Sequence, residues 1–79
     1  MIAKIHVTLK PAVLDPQGKA VLHALESLEF NEVQDVRIGR FIELKLKEAD
    51  RSAAEKRVKE MCEKLLANTV IESYQYEIL

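Results

Sequence analysis

The residues with chemical potential are few and scattered. Gly18-Lys19 stands at a helix start, the place where phosphate-binding proteins cradle an anion on free backbone N–H groups. A P-loop needs two glycines five positions apart and a Lys followed by Ser or Thr, because the backbone wraps the phosphates and the hydroxyl reaches magnesium. Here Lys19 is followed by Ala20, and Leu14-Asp15-Pro16-Gln17 comes before it. An acidic cap competes with a bound anion and a proline removes a donor. Gly18-Lys19 therefore reads as a helix's first turn, with close packing of Gly18 against a neighbouring chain as the alternative.

The strongest polar candidate is Asp35-Val36-Arg37-Ile38-Gly39-Arg40-Phe41-Ile42. Two arginines flank a glycine bend and could project together onto a carboxylate, a phosphate or an acidic group of a partner. The plainer alternative is a solvated hairpin tip. His6 and His23 have no cysteine or carboxylate at metal-ligand spacing beside them, so each reads as an ordinary surface histidine. Cys62 falls on the apolar stripe of a helix, where cysteine behaves as a small buried hydrophobe, and no base stands near it in sequence. The glutamates are spread through a chain that is 32% charged, and no pair stands out as an acid/base couple. No catalytic, cofactor-binding or metal-binding residue is assigned. Interface residues are a different matter: Gly18, Arg37, Gly39, Arg40 and Phe41 are the first candidates. Tyr74 and Tyr76 are the second, because amphipathic rings suit a surface that is partly covered.

Composition narrows the partners. A chain of 79 residues is one domain, residues 1–79, with a small core, so self-association would help it. Its 12 basic and 13 acidic residues leave a net charge of -1, which offers no electrostatic footprint for nucleic acid or anionic lipid. RNA recognition on a sheet would also need exposed aromatics on central strands, and Phe41 is the main one offered there. A single Cys rules out an internal disulfide. No apolar run has signal-peptide or membrane-spanning length, so a cytoplasmic location is expected.

The elements that must position these residues follow from periodicity. Ile5, Val7 and Leu9 alternate with Lys4, His6, Thr8 and Lys10, the pattern of a half-buried strand that ends at Pro11. Asp15 as cap and Pro16 at the first helical position open a helix with the stripe Val21, Ala24, Leu25 and Leu28, lasting to about Glu29. Val36, Ile38, Ile42, Leu44 and Leu46 share one parity across Gly39-Arg40. That predicts a hairpin reversing near Ile38 to Phe41, or a bent or bulged strand over Val33 to Leu46. Ser52-Ala53-Ala54-Glu55 has the form of a capping box, with Ala54, Val58, Met61, Cys62 and Leu65 as the stripe of a second helix ending near Asn68. Val70 to Leu79 closes the chain as a strand, and its apolar residues on both parities predict that another chain covers part of it. The order strand, helix, strand, strand, helix, strand is the ferredoxin-like α+β pattern, with two helices on one face of a mostly antiparallel sheet.

The chain also resembles a known family. Thr8-Leu9-Lys10-Pro11, Val13-Leu14-Asp15-Pro16-Gln17-Gly18-Lys19-Ala20-Val21, Leu28-Glu29-Phe30-Asn31-Glu32-Val33, Asp35 to Arg40, and Met61 to Asn68 followed by Val70 to Tyr74 are similar to the PurS family, the small subunit of phosphoribosylformylglycinamidine synthase. The likeness covers essentially all 79 positions. Thr69 stands where the family pattern leads one to expect proline. The resemblance implies a non-catalytic subunit of a purine biosynthetic glutamine-dependent carbon–nitrogen ligase. It would be a homodimer or dimer of dimers, bridging a glutaminase subunit and a large ATP-dependent synthetase subunit and aiding ammonia transfer between them. On that reading ATP, Mg and glutamine are used by the complex, with no cofactor on this chain. A stand-alone ferredoxin-like dimer that senses a small molecule is the competing reading.

Overall fold

The computed structural model describes residues 1–79. Strand β1 runs Ile2–Leu9, helix α1 Pro16–Ser27, strand β2 Gly39–Lys45, helix α2 Arg51–Met61 and strand β3 Glu72–Ile78. The alternation in the first ten residues is realised. Ala3, Ile5 and Val7 are buried while His6 and Thr8 are exposed. β1 is the middle strand of a three-stranded sheet in the order β2-β1-β3, with both pairings antiparallel. The register sets Ile5 opposite Ile42 and Tyr76, and Val7 opposite Arg40 and Tyr74. Ala54 and Val58 of α2 and Cys62 just after it cover this face, joining Ala3, Ile5, Val7, Ala67 and Ile78 in one core. The other face carries Lys4 with Glu43 and Glu77, and His6 with Phe41 and Gln75.

The α+β class and the antiparallel sheet hold, but the expected hairpin does not form. The stretch before Gly39 stays outside the sheet because its groups are engaged elsewhere. Arg37 Nη2 donates to the carbonyls of Lys10 and Val13, both at 2.9 Å, and the Ile38 N–H donates to Asp15 Oδ2 at 2.7 Å. A segment anchored to the β1–α1 loop cannot also line the outer edge of β2. Gly39 does not need a positive φ there, since neither glycine has one. Its lack of a side chain serves close approach instead: a Cβ would sit 2.5 Å from the Val7 carbonyl oxygen.

Both helices start on aspartate. Asp15 caps α1 as expected, accepting from the Gly18 N–H at 2.9 Å, with Pro16 in the first turn. α2 begins earlier than the expected capping box. Asp50 is its cap, with its side chain accepting from the Ser52 N–H and its carbonyl from the Ala54 N–H, so Ser52 lies inside the helix. After Met61 the helix widens into one π turn over Cys62–Leu66, closed by the Ala67 N–H donating to the Cys62 carbonyl at 3.0 Å. The extra residue shifts the phase of the apolar stripe. Cys62 and Ala67 are buried, whereas Leu65, expected on the stripe, is 82% exposed.

α1 ends on a Schellman motif. Phe30 N–H donates to Leu25 O at 2.9 Å and Glu29 N–H to Glu26 O at 3.0 Å, with Glu29 at φ 70° in the left-handed position that favours glycine. The helix makes almost no contact with the strands, and Gly18 is its one buried residue. Val21, Ala24 and Leu28 of the apolar stripe are exposed and Leu25 half-buried. The molecule is correspondingly long and thin, its Cα trace extending 49 × 24 × 14 Å.

The closing strand is shorter than expected. Val70 and Ile71 precede it, and within it Ser73, Gln75 and Glu77 occupy the open face. It is therefore apolar on one side only, and the ground for a covering chain moves from β3 to the bare stripe of α1.

Candidate interaction surface

The centre of the surface is a junction that sequence reading identified only in part. Asp15 is buried, and its two carboxylate oxygens join two segments: Oδ1 accepts from Gly18 in α1 and Oδ2 from Ile38, the residue just before β2. The Ile38 and Gly18 N–H groups, with the Arg37 guanidinium after them, hold the Asp15 carboxyl below the usual carboxylate range despite its burial. A cap was legible from Asp15-Pro16; the second bond spans 23 positions and has no local signal. Gly18 packs against the Val36 carbonyl of its own chain, where a Cβ would clash. The tight approach expected of Gly18 thus has an intrachain partner.

Arg37 and Arg40 do not project together. Three positions apart on extended backbone, their side chains leave on opposite sides. Arg37 crosses to the Lys10–Val13 turn. Arg40 reaches the other way, its Nη2 donating to the Leu66 carbonyl at 2.9 Å and to Glu72 Oε1 at 3.0 Å. Glu72 Oε1 also accepts from the Asn68 N–H at 2.7 Å, closing the loop after the π turn. Gly39 and Arg40 line a hollow of about 210 Å³ with Asp15, Gln17 and Glu72, while Arg37 lines a separate one of about 250 Å³ beside Pro11 and Asp35.

The aromatic candidates divide between the faces. Phe41 stands on the open face, 54% exposed, with its ring tilted against His6 at a centroid distance of 4.9 Å. Tyr74 and Tyr76 point to the α2 side. The Tyr74 phenol is pushed up to about 12 by burial first and by the neighbouring Glu63 carboxylate second. Burial also raises the Cys62 thiol, which is fully enclosed. No three His, Cys, Asp or Glu side chains converge as a metal-holding group, and no helix is long and apolar enough to cross a membrane. What the surface offers is apolar. Leu14, Val21, Leu28 and Phe30 are exposed along and around α1, and Leu65 and Val70 at the opposite connection. Such surface is the material of protein–protein contact.

The family model for PurS, phosphoribosylformylglycinamidine (FGAM) synthase, matches residues 2–79. The phosphoribosylformylglycinamidine synthase subunit PurS of Bacillus subtilis is 63% identical over 75 residues, covering 95% of this chain and 88% of that protein. Among solved structures, B. subtilis PurS aligns with a TM-score of 0.84 at 62% identity, over 96% of this chain and 94% of that one. A chain of PurLQS from Thermotoga maritima aligns with a TM-score of 0.86 at 30% identity, covering 100% of this chain and 99% of its own length. With its whole length, its three-stranded sheet and its two helices matched in this way, the chain belongs to the PurS family.

Proposed function

We propose that this chain is the small, non-catalytic subunit of a phosphoribosylformylglycinamidine synthase, acting in purine biosynthesis in the cytoplasm. It bridges a glutaminase subunit and an ATP-dependent synthetase subunit, and aids passage of ammonia from one to the other, for conversion of formylglycinamide ribonucleotide to the amidine. The observation that carries this reading is the end-to-end match to a chain of the PurLQS structure. The exposed apolar stripe of α1 agrees with it, since a subunit that works by contact must present such surface. ATP, magnesium and glutamine act on the larger subunits, and this chain works as a homodimer or a dimer of dimers. The metabolite-sensing alternative has no specific observation in its favour.

Reconstitution tests the proposal. The two larger subunits are mixed with glutamine and ADP, with and without this chain, and passed over a sizing column. They should co-elute only when it is present, and glutamine-dependent amidine formation should need it while ammonia-dependent formation does not. Full glutamine-dependent turnover in its absence would refute the bridging role.

A further inference from the structure

The polar ties between α1 and the sheet are concentrated at its first turn. The helix makes almost no contact with the strands, and Gly18 is its one buried residue. Asp15, Gly18 and Arg37 each make ties there. Asp15 Oδ1 takes the Gly18 N–H and Asp15 Oδ2 the Ile38 N–H, at 2.9 and 2.7 Å. Gly18 lies against the Val36 carbonyl. Arg37 ties the Lys10–Val13 turn, just before Asp15, to the segment that leads into β2. A helix with almost no contact with the strands takes its direction relative to the sheet from the junction that ties it there.

We propose that Asp15 is a positioning residue. By accepting from α1 and from the residue that leads into β2 with the two oxygens of one carboxylate, it fixes the direction in which α1 leaves the sheet, and so the placement of the exposed Val21–Leu28 stripe on which association depends. The link to association rests on the assembly reading above; the link to direction does not. A carboxylate suits the role because it alone among the short capping side chains accepts on both oxygens. Serine caps a helix nearly as well, but its one hydroxyl oxygen is too short to reach from Gly18 to Ile38. Asparagine keeps the shape but sets an amide NH₂ against one of the two donors.

The test uses the full chain with spin labels at Glu26→Cys in α1 and Lys45→Cys in β2, in a Cys62→Ala background, diluted into unlabelled protein. Distances are compared for the parent, Asp15→Ser, Asp15→Asn and a core control, Val58→Ala. The Asp15 variants should keep the helical circular dichroism of the parent but broaden the distance distribution, and amide exchange at Ile38 should quicken about tenfold or more. Val58→Ala, which lowers stability without touching the junction, should leave the distribution narrow. Affinity for the larger subunits should fall about tenfold or more in Asp15→Ser, and stay within about twofold of the parent in Val58→Ala. A parent-like distribution in Asp15→Ser overturns the proposal, as does equal broadening in Val58→Ala, which would show general loosening. If the parent chain fails to bind the larger subunits, the assembly reading falls while the distance measurement still decides the role of Asp15.

Discussion

The α-carbon of Gly18 faces the carbonyl oxygen of Val36 so closely that no β-carbon fits between them. Alanine is the better helix former by about 1 kcal/mol, so propensity alone predicts that Gly18→Ala stabilises α1. The obstacle is backbone, which cannot swing away as a side-chain tip would, and overpacking of this kind costs about 1–3 kcal/mol. The clash wins. Gly18→Ala should lower the melting temperature by several degrees, and Gly18→Leu should disturb folding as well as assembly. A rise in Tm for the alanine variant would refute the close approach.

Glu29 gives a prediction of opposite sign. A side chain in the left-handed region costs about 1 kcal/mol relative to glycine, and Glu29 holds that position to complete the Schellman motif. Glu29→Gly should raise stability by about 0.5–1 kcal/mol, measured by denaturant midpoint at unchanged m-value. Glu29→Ala relieves nothing and should not reproduce the gain.

Glu72 and Arg40 form an ion pair in which the arginine is the more exposed partner. An exposed pair contributes little by itself, but Glu72 Oε1 also takes the Asn68 N–H at 2.7 Å. Glu72→Ala should therefore cost about 1–2 kcal/mol, while Arg40→Ala costs about 1 kcal/mol or less. Urea melts of the two variants decide this, and equal losses would mean that the backbone bond contributes nothing.

Tyr74 gives a prediction for alkaline pH. Its pKa is pushed from 10 up to about 12 in the folded chain. The unfolded phenol therefore ionises first, and the stability Tyr74 contributes is intact below about pH 10 and lost as the pH rises through about 12. In a Tyr76→Phe background the remaining phenol should titrate near 12 by ultraviolet absorbance, and Glu63→Gln should bring that midpoint down. A midpoint near 10 would place Tyr74 in open water.

What was legible in the sequence was local. The alternation of Ile5, Val7 and Leu9, the cap Asp15 with Pro16, and the stripe Ala54, Val58, Cys62 are written within a few residues of one another, and each is found in the structure. The misplaced features depend on distant partners. Val36 and Ile38 have strand parity, but Asp15, Gly18 and the Lys10–Val13 turn claim that segment. The stripe of α1 has the pattern of a buried helix face, yet no strand of the same chain receives it. Periodicity reports that a face is apolar and not which chain covers it. The π turn escaped because one inserted helical residue leaves no mark in composition, although it rotates Leu65 out to solvent.

A body 14 Å through its thinnest axis has room for a sheet and one layer of helix, and just ten of its 79 residues are buried. Its folding therefore obeys mass action. Any partner that binds the folded form and not the unfolded one drains the unfolded pool. The melting temperature should therefore climb as the protein is concentrated or as a binding subunit is added.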